Sequence, residues 1–579
     1  MKPAILLLAT SLMAPLVSHA AIASSPEKQQ IMIQNQPGLG PAMALVDGAP
    51  AVLYNAPDQH ITYQQGNHTV VLDKTAPVVG GQYLKLDTTG NAINALWWSH
   101  EGQKALYFSR STDGGKTFSK TAIVNDDHGV LYPFHLAADG DTLGMVYHDE
   151  RSPKYEIYFN RSTDGGRTWQ RPDQRLDTPP ATKGANSVRF EPQMAAIGNR
   201  WVVVWRDPGD SAMAQFNYQS LLMRTSTDGG KTWSEEKHIY STKEVMSQLT
   251  LKALDNHFVL AFAEGNGIRL MTAKADASDW TRPLSVPGFN STSGGDIKLA
   301  ADNQNKLTVV WSGQLAQSKA AIFSSGFDLA KNAWLHDAVR VDTKEINNTQ
   351  SLSPSLVSLP NGIAVAAWTD YRNILPEVYV ATSRDNGATW SKAQNVGING
   401  ADSMSTPTLA VEKNSVFLGY QAHINNKQDA LYYVTMPLQV TDSGEITGLP
   451  EQKIYSESYR ADLLKKRVME LWAYRQKADF PPTYQFFDPA FRAAISQDLF
   501  DRSQAQIAYQ DVKWIGADIK GNVGNAKVSL KLKVMPMEVN GKKIDLPEQK
   551  TEVKADWLWI KDNWYLQYIG IQNQRYLTY

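Results

Sequence analysis

Ser111-Thr112-Asp113-Gly114-Gly115-Lys116-Thr117-Phe118 is the stretch from which the fold is read, because the chain writes its pattern four times. The other copies run Ser162 to Trp169, Ser226 to Trp233, and Ser383-Arg384-Asp385-Asn386-Gly387-Ala388-Thr389-Trp390. Each is a small polar turn placed after a strand-like run such as Ala105-Leu106-Tyr107-Phe108. A glycine-containing turn that recurs every few tens of residues among short strands marks a radial array of four-stranded units, a β-propeller.

Working outward, a wider repeat surrounds the four boxes. Apolar strands ending in an aromatic and then a polar residue occur at Ile93 to Ser99, Leu143 to Asp149, Trp201 to Asp207, Phe258 to Glu264, Leu307 to Ser312, Ala364 to Asp370 and Val416 to Gln421, with a weaker copy at Ala51 to Asn55. Trp280 and Trp334 stand where the box tryptophan would fall in two units without the full motif. This predicts an all-β propeller over residues 28–455 with about eight blades, or six or seven if the end units are partial. Residues 28–40 are expected to supply a closing strand, since ring closure removes open sheet edges.

The first twenty residues read as an export signal. Lys2 supplies the positive start, Ala4 to Val17 an apolar core, and Ser18-His19-Ala20 a small-residue cleavage site. The expectation is an exported protein, periplasmic or secreted, with no membrane span in the mature chain. The sequence holds no cysteine, so disulfides, thiolate metal sites and cysteine nucleophiles are excluded. A net charge of −1 gives no electrostatic reason to expect nucleic acid as a partner.

After Gly448-Leu449-Pro450 the pattern changes, predicting a small α+β domain over 457–579. Ser456 or Ser458 caps a helix with Leu464, Val468, Leu471 and Trp472 on one face. Asp488-Pro489 starts a second helix with Phe491, Ile495, Leu499 and Phe500 inward. Alternation from Ala526 to Val534 and from Val553 to Trp559 predicts strands, with a hairpin at Asp562-Asn563. The order of helices before sheet weakly resembles the cone-shaped fold of nuclear-transport-factor-like domains. That resemblance implies a pocket with Trp472, Tyr474, Trp514, Trp557, Trp559 and Tyr568 as candidate lining, against a reading of these aromatics as ordinary core.

The box has a folding role of its own. Asp113, Asp164, Asp228 and Asp385 can accept hydrogen bonds from their own turns and from the neighbouring Ser and Thr hydroxyls, and the fifth-position glycine permits a positive φ. These aspartates are therefore assigned as structural. The boxes resemble the Asp boxes, or bacterial neuraminidase repeats, of the sialidase superfamily, over roughly residues 40–455. That resemblance implies a propeller with three arginines for the sugar carboxylate, an aspartate acid/base and a tyrosine–glutamate nucleophile. The family's first arginine precedes the first box in an Arg-Ile-Pro-like segment. Here the first arginine of the chain is Arg110, directly before a box turn, so no catalytic residue is carried over.

A second polar cluster is expected on the face opposite the boxes. It comprises Asp149 and Arg151 in His148-Asp149-Glu150-Arg151, Arg206 and Asp207, Asp370, Tyr371 and Arg372, Glu264, and Arg189 and Glu191 from a neighbouring loop. Either acids and arginines two apart pair within each loop, or they converge on one mouth of the central channel as a ligand site. No loop has calcium-loop spacing, and no metal or cofactor is predicted. The function these residues suggest is recognition of a glycan or other polar ligand without ordinary sialidase activity. The alternatives are a sialidase-type glycoside hydrolase with its arginine set rebuilt from Arg151, Arg189, Arg206 and Arg372, and a protein-interaction scaffold.

Overall fold

The computed structural model describes residues 29–567 apart from short stretches at 34–40, 74–83, 100–104, 127–128, 151–154, 180–188, 209–218, 255, 292–293, 315–318, 343–349, 398–400, 425–430, 450–452, 503–506, 535, 540–541 and 545–546. The leader-like segment 1–20, Arg151 and Tyr568 lie outside the described residues. Eight antiparallel sheets follow one another along the chain, and each is a blade, numbered 1 to 8 in chain order from the one that starts at Ala42–Val46. The strands recognised in the sequence are the second strands, for example Ala92–Ser99, Thr142–Asp149, Arg200–Asp207 and Ala364–Asp370. All eight residues of Ala92–Ser99 and all seven of Ala364–Asp370 are buried, because a mid-blade strand is covered on both faces by neighbouring blades.

The expected closing strand is present. Gln29–Ile33 pairs antiparallel with the start of Leu431–Val440, while Ile446–Thr447 pairs with its far end. The last blade thus takes one edge from the N-terminal part of the chain. Ile31 and Ile33 join Met43, Leu45, Phe417 and Tyr433 in the seam between the last blade and the first. Gly48 N–H donates to Glu412 Oε2 at 2.7 Å across the same seam. On the inner strands, Lys252 Nζ donates to the Leu299 carbonyl at 2.9 Å, and Lys85 Nζ donates to that of Phe134. Polar side chains therefore stitch adjacent blades along the channel as well as packing does.

Each box is self-satisfied, as expected. Asp113 accepts from Thr117 Oγ1 at 2.6 Å, Thr117 N–H at 2.9 Å and Ser111 Oγ at 2.8 Å, and Ser111 Oγ accepts from Gly115 N–H at 2.8 Å. Asp164, Asp228 and Asp385 repeat these contacts. The fifth-position glycine does more than turn the chain. Gly166 has φ +83°, and a Cβ there would lie 2.0 Å from Phe108 of the preceding blade. The box aromatic reaches the same neighbour: Phe118 packs on Tyr63, Trp169 on Phe108 and Trp233 on Phe159, with centroids 4.8, 5.5 and 5.0 Å apart. The box is thus a staple between blades.

The C-terminal part packs helices on a four-stranded antiparallel sheet. Ser456 caps Glu457–Gln476 by accepting from Tyr459 N–H, and Leu464, Val468, Leu471 and Trp472 are buried as expected. The second helix is shorter than the periodicity predicts. It breaks into Pro489–Ala494 and Gln497–Arg502 because Ile495 adopts an extended backbone, and Leu499 turns outward at 54% exposure. The last hairpin turns at Lys561-Asp562, one residue earlier than expected, with Lys561 taking φ +60° and Asn563 beginning the strand. Trp472 and Trp557 line a cavity of only about 40 Å³, while Tyr474 is exposed, so most of the aromatic set is core. No helix among the described residues is long and apolar enough to cross a membrane.

Candidate functional site

The two ends of the channel differ. Boxes follow the third strands and sit at one end; Asp149, Asp207, Glu264 and Asp370 close the second strands at the other. The inner strands begin at this second end, and six of the eight break register there. The shifts fall between Leu131 and Phe134, Phe190 and Gln193, Ser247 and Thr250, Gly295 and Lys298, Leu352 and Ser355, and Ser405 and Thr408. In five successive blades a non-glycine residue at the bulge has positive φ: Glu191 (52°), Gln248 (59°), Asp296 (50°), Ser353 (52°) and Thr406 (49°). Left-handed backbone at a non-glycine residue costs energy and concentrates where a side chain must be re-aimed.

Only Glu191 of this set was singled out from sequence. The available signal was a polar residue before proline at the head of the inner strand, as in Glu191-Pro192, Ser353-Pro354 and Thr406-Pro407.

Blade 4 carries one polar network at this mouth. Arg189 forms an ion pair with Asp207, and Arg206 lies 3.7 Å from Glu191. Arg206 also covers the Phe190 ring at 5.2 Å, and Phe190 meets His148 and Tyr155 of blade 3. Within this cluster Arg189 Nε, Arg206 Nε and Glu191 Oε2 are buried without a hydrogen-bond partner among the described residues. Asp149 is fully buried at the end of its strand.

The other candidates form separate networks. Glu264 accepts from Tyr240 Oη at 2.7 Å and from Arg269 Nε at 2.6 Å. Burial, then the hydrogen bond and charge of Glu264, push the Tyr240 phenol above its ordinary range. In blade 7 the loop pairs within itself: Arg372 donates to Asp370 Oδ1 at 2.9 Å and Oδ2 at 2.6 Å. Trp368 Nε1 and Ser351 Oγ also donate to Asp370. Burial lowers the Arg372 pKa but the Asp370 carboxylate overrides it, holding the guanidinium charged. Tyr371 is half-buried and its N–H donates to the Gln350 carbonyl.

Glu377, missed in the sequence, sits behind Arg372 and accepts from Asn373 and Asn395, both at 2.6 Å. Burial raises its pKa against those two donors.

Residues 149–429 match the BNR repeat-like domain. That stretch of the propeller carries BNR-like repeats. Solved structures with a similar arrangement include an α-L-arabinanase of Penicillium chrysogenum complexed with arabinobiose, 13% identical over 61% of this chain and 92% of that one, TM-score 0.36. A Hadza microbial sialidase is 14% identical over 64% and 80%, TM-score 0.32, and an intramolecular trans-sialidase from Ruminococcus gnavus is 12% identical over 53% and 94%, TM-score 0.31. These likenesses concern the fold alone. No curated protein matches the chain. At the mouth of the propeller, every described arginine of the candidate set faces an acid partner.

Proposed function

We propose that this BNR propeller, acting after export, recognises a glycan or another polar small molecule at its bulged mouth and does not hydrolyse sialosides by the ordinary route. The observation that carries this reading is the unused hydrogen-bonding capacity of Arg189, Arg206 and Glu191. Buried N–H and carboxylate oxygens normally have partners, and hydroxyl-rich ligands supply both donors and acceptors. Ordinary sialoside chemistry wants guanidinium groups available to a substrate carboxylate. Arg372 instead gives its guanidinium Nε and Nη2 to Asp370, and Arg189 is held by Asp207.

The decisive assay is glycan binding by the full chain with Arg206→Ala beside it, alongside release of a fluorogenic group from an α-sialoside between about pH 4 and 8. Binding that weakens in the variant, without turnover, supports the proposal. Turnover by the unmodified protein sinks it.

One observation favours the hydrolase alternative. The Tyr240–Glu264 hydrogen bond is the tyrosine–glutamate pairing that a sialidase resemblance implies. If that pair is the nucleophile, Tyr240→Phe abolishes turnover while leaving ligand binding in place.

A further inference from the structure

A second site lies on the opposite face, between the boxes of blades 2 and 3. Arg110 precedes the first box and is 8% exposed. Its Nη2 donates to the Gly140 carbonyl at 3.1 Å and lies 3.4 Å from Asp141 Oδ1. Its Nε and Nη1 are buried with no acceptor among the described residues. In the next blade Arg161 holds the same place before its box, and its Nε donates to the Gly229 carbonyl at 2.6 Å. An interblade strut thus accounts for Arg161, but for only one edge of Arg110.

Arg110 also lines a cleft of about 300 Å³, together with Thr112, Thr117, Phe118, Asp141, Asp164 and Arg167. That volume is at the small end of ligand sites and suits one sugar ring rather than an oligomer or peptide. The charges around it are unequal in what they offer. Asp164 is occupied by Thr168 N–H at 2.9 Å, Thr168 Oγ1 at 2.6 Å and Ser162 Oγ at 2.8 Å. Two guanidinium groups therefore face a single available carboxylate, that of Asp141. Planar guanidinium groups favour carboxylate and sulfate oxygens, and an Asp and threonine hydroxyls suit ring hydroxyls.

We propose that this cleft binds an acidic monosaccharide unit, with its carboxylate or sulfate on Arg110 and Arg167 and a ring hydroxyl on Asp141. The site is independent of the mouth, since it lies at the other end of the channel.

The test is calorimetric titration of the full chain with glucuronate, glucose and inorganic sulfate. Glucuronate should bind about tenfold or more tightly than glucose, and separately Arg110→Gln and Arg167→Ala should each weaken it by about tenfold. The mouth variant Arg206→Ala should leave glucuronate affinity unchanged. If Arg110→Gln does not fold, Arg167→Ala decides the matter, because that side chain is exposed.

The assignment is overturned by no glucuronate binding, equal binding of glucose, binding indifferent to Arg167→Ala, or loss of binding in Arg206→Ala. Sulfate binding as tightly as glucuronate would show an inorganic-anion site, and the sugar assignment would fall.

Discussion

Asn522 of the C-terminal domain donates from Nδ2 to the main-chain carbonyl of Arg372 at 2.7 Å, and the same amide reaches Asn373 Oδ1 at 3.1 Å. The loop that carries the Arg372–Asp370 pair is therefore held from outside the propeller. Beside it Ile374, with φ +78° and 5% exposure, packs against Leu558 and Ile560. Left-handed backbone is unusual for a β-branched residue and persists only when its surroundings enforce it.

Ile374→Ala should cost this interface about 2–4 kcal/mol, as truncation of a buried isoleucine does. The expected result is faster release of the C-terminal domain in limited proteolysis, with the propeller's own melting transition unchanged. Equal proteolysis rates in variant and parent would show that the interface does not depend on this contact.

Asp370 is fully buried between Arg372, Trp368 and Ser351. Asp370→Asn leaves the guanidinium without its counter-charge and should cost about 3–5 kcal/mol in denaturant unfolding. Adding Arg372→Met should restore much of that loss, because the penalty belongs to the unpaired charge. Simple additivity of the two substitutions would argue against a coupled pair.

The fifth-position box glycine separates two effects. Gly140→Ala meets no atom within 4 Å at φ +60°, so it should lose only the left-handed penalty of about 1–2 kcal/mol. Gly166→Ala carries the same backbone cost and also drives its methyl into Phe108, 2.0 Å away, adding about 1–3 kcal/mol. Thermal melts that rank the two equally would remove the interblade role from this glycine.

Acid should loosen the boxes in a defined window. The Thr117 hydroxyl and amide, with Ser111, hold the Asp113 carboxyl at about 2. Partial burial works against the same effect at Asp228, yet the Thr232 hydroxyl and amide and Ser226 hold it at about 2 as well. A folded-state pKa below the unfolded value of about 3.9 contributes stability above pH 4 that is lost as pH falls toward 2. Asp113→Asn should flatten the stability profile across that window while changing little in its shape above pH 5.

The fold was legible because its signals are local. Ser456 before a helical apolar stripe, and apolar runs such as Ala364 to Asp370 between turns, report short-range preferences that the tertiary structure had no reason to override. The site was less legible because its geometry is set by register and by neighbours. Glu377 lies seven residues from Asp370 and carries no motif, yet Asn373 and Asn395 bring it behind Arg372. The bulges at Gln248 and Asp296 lack even the proline that marks Glu191, Ser353 and Thr406.

What the sequence by itself determined is the repeating unit: the box, its turn, the buried second strand, and hence a propeller followed by an α+β domain. Those are settled within ten or so residues, by turn chemistry and by hydrophobic periodicity. Only the tertiary structure decided which blades touch, that Phe118, Trp169 and Trp233 staple one blade to the one before, and that each described candidate arginine finds its own acid partner. The physical reason is that a charge's role depends on its nearest counter-charge in space. Arg189 meets Asp207 across a separation that local pattern cannot reach, whereas Arg372 takes its acid from two residues away.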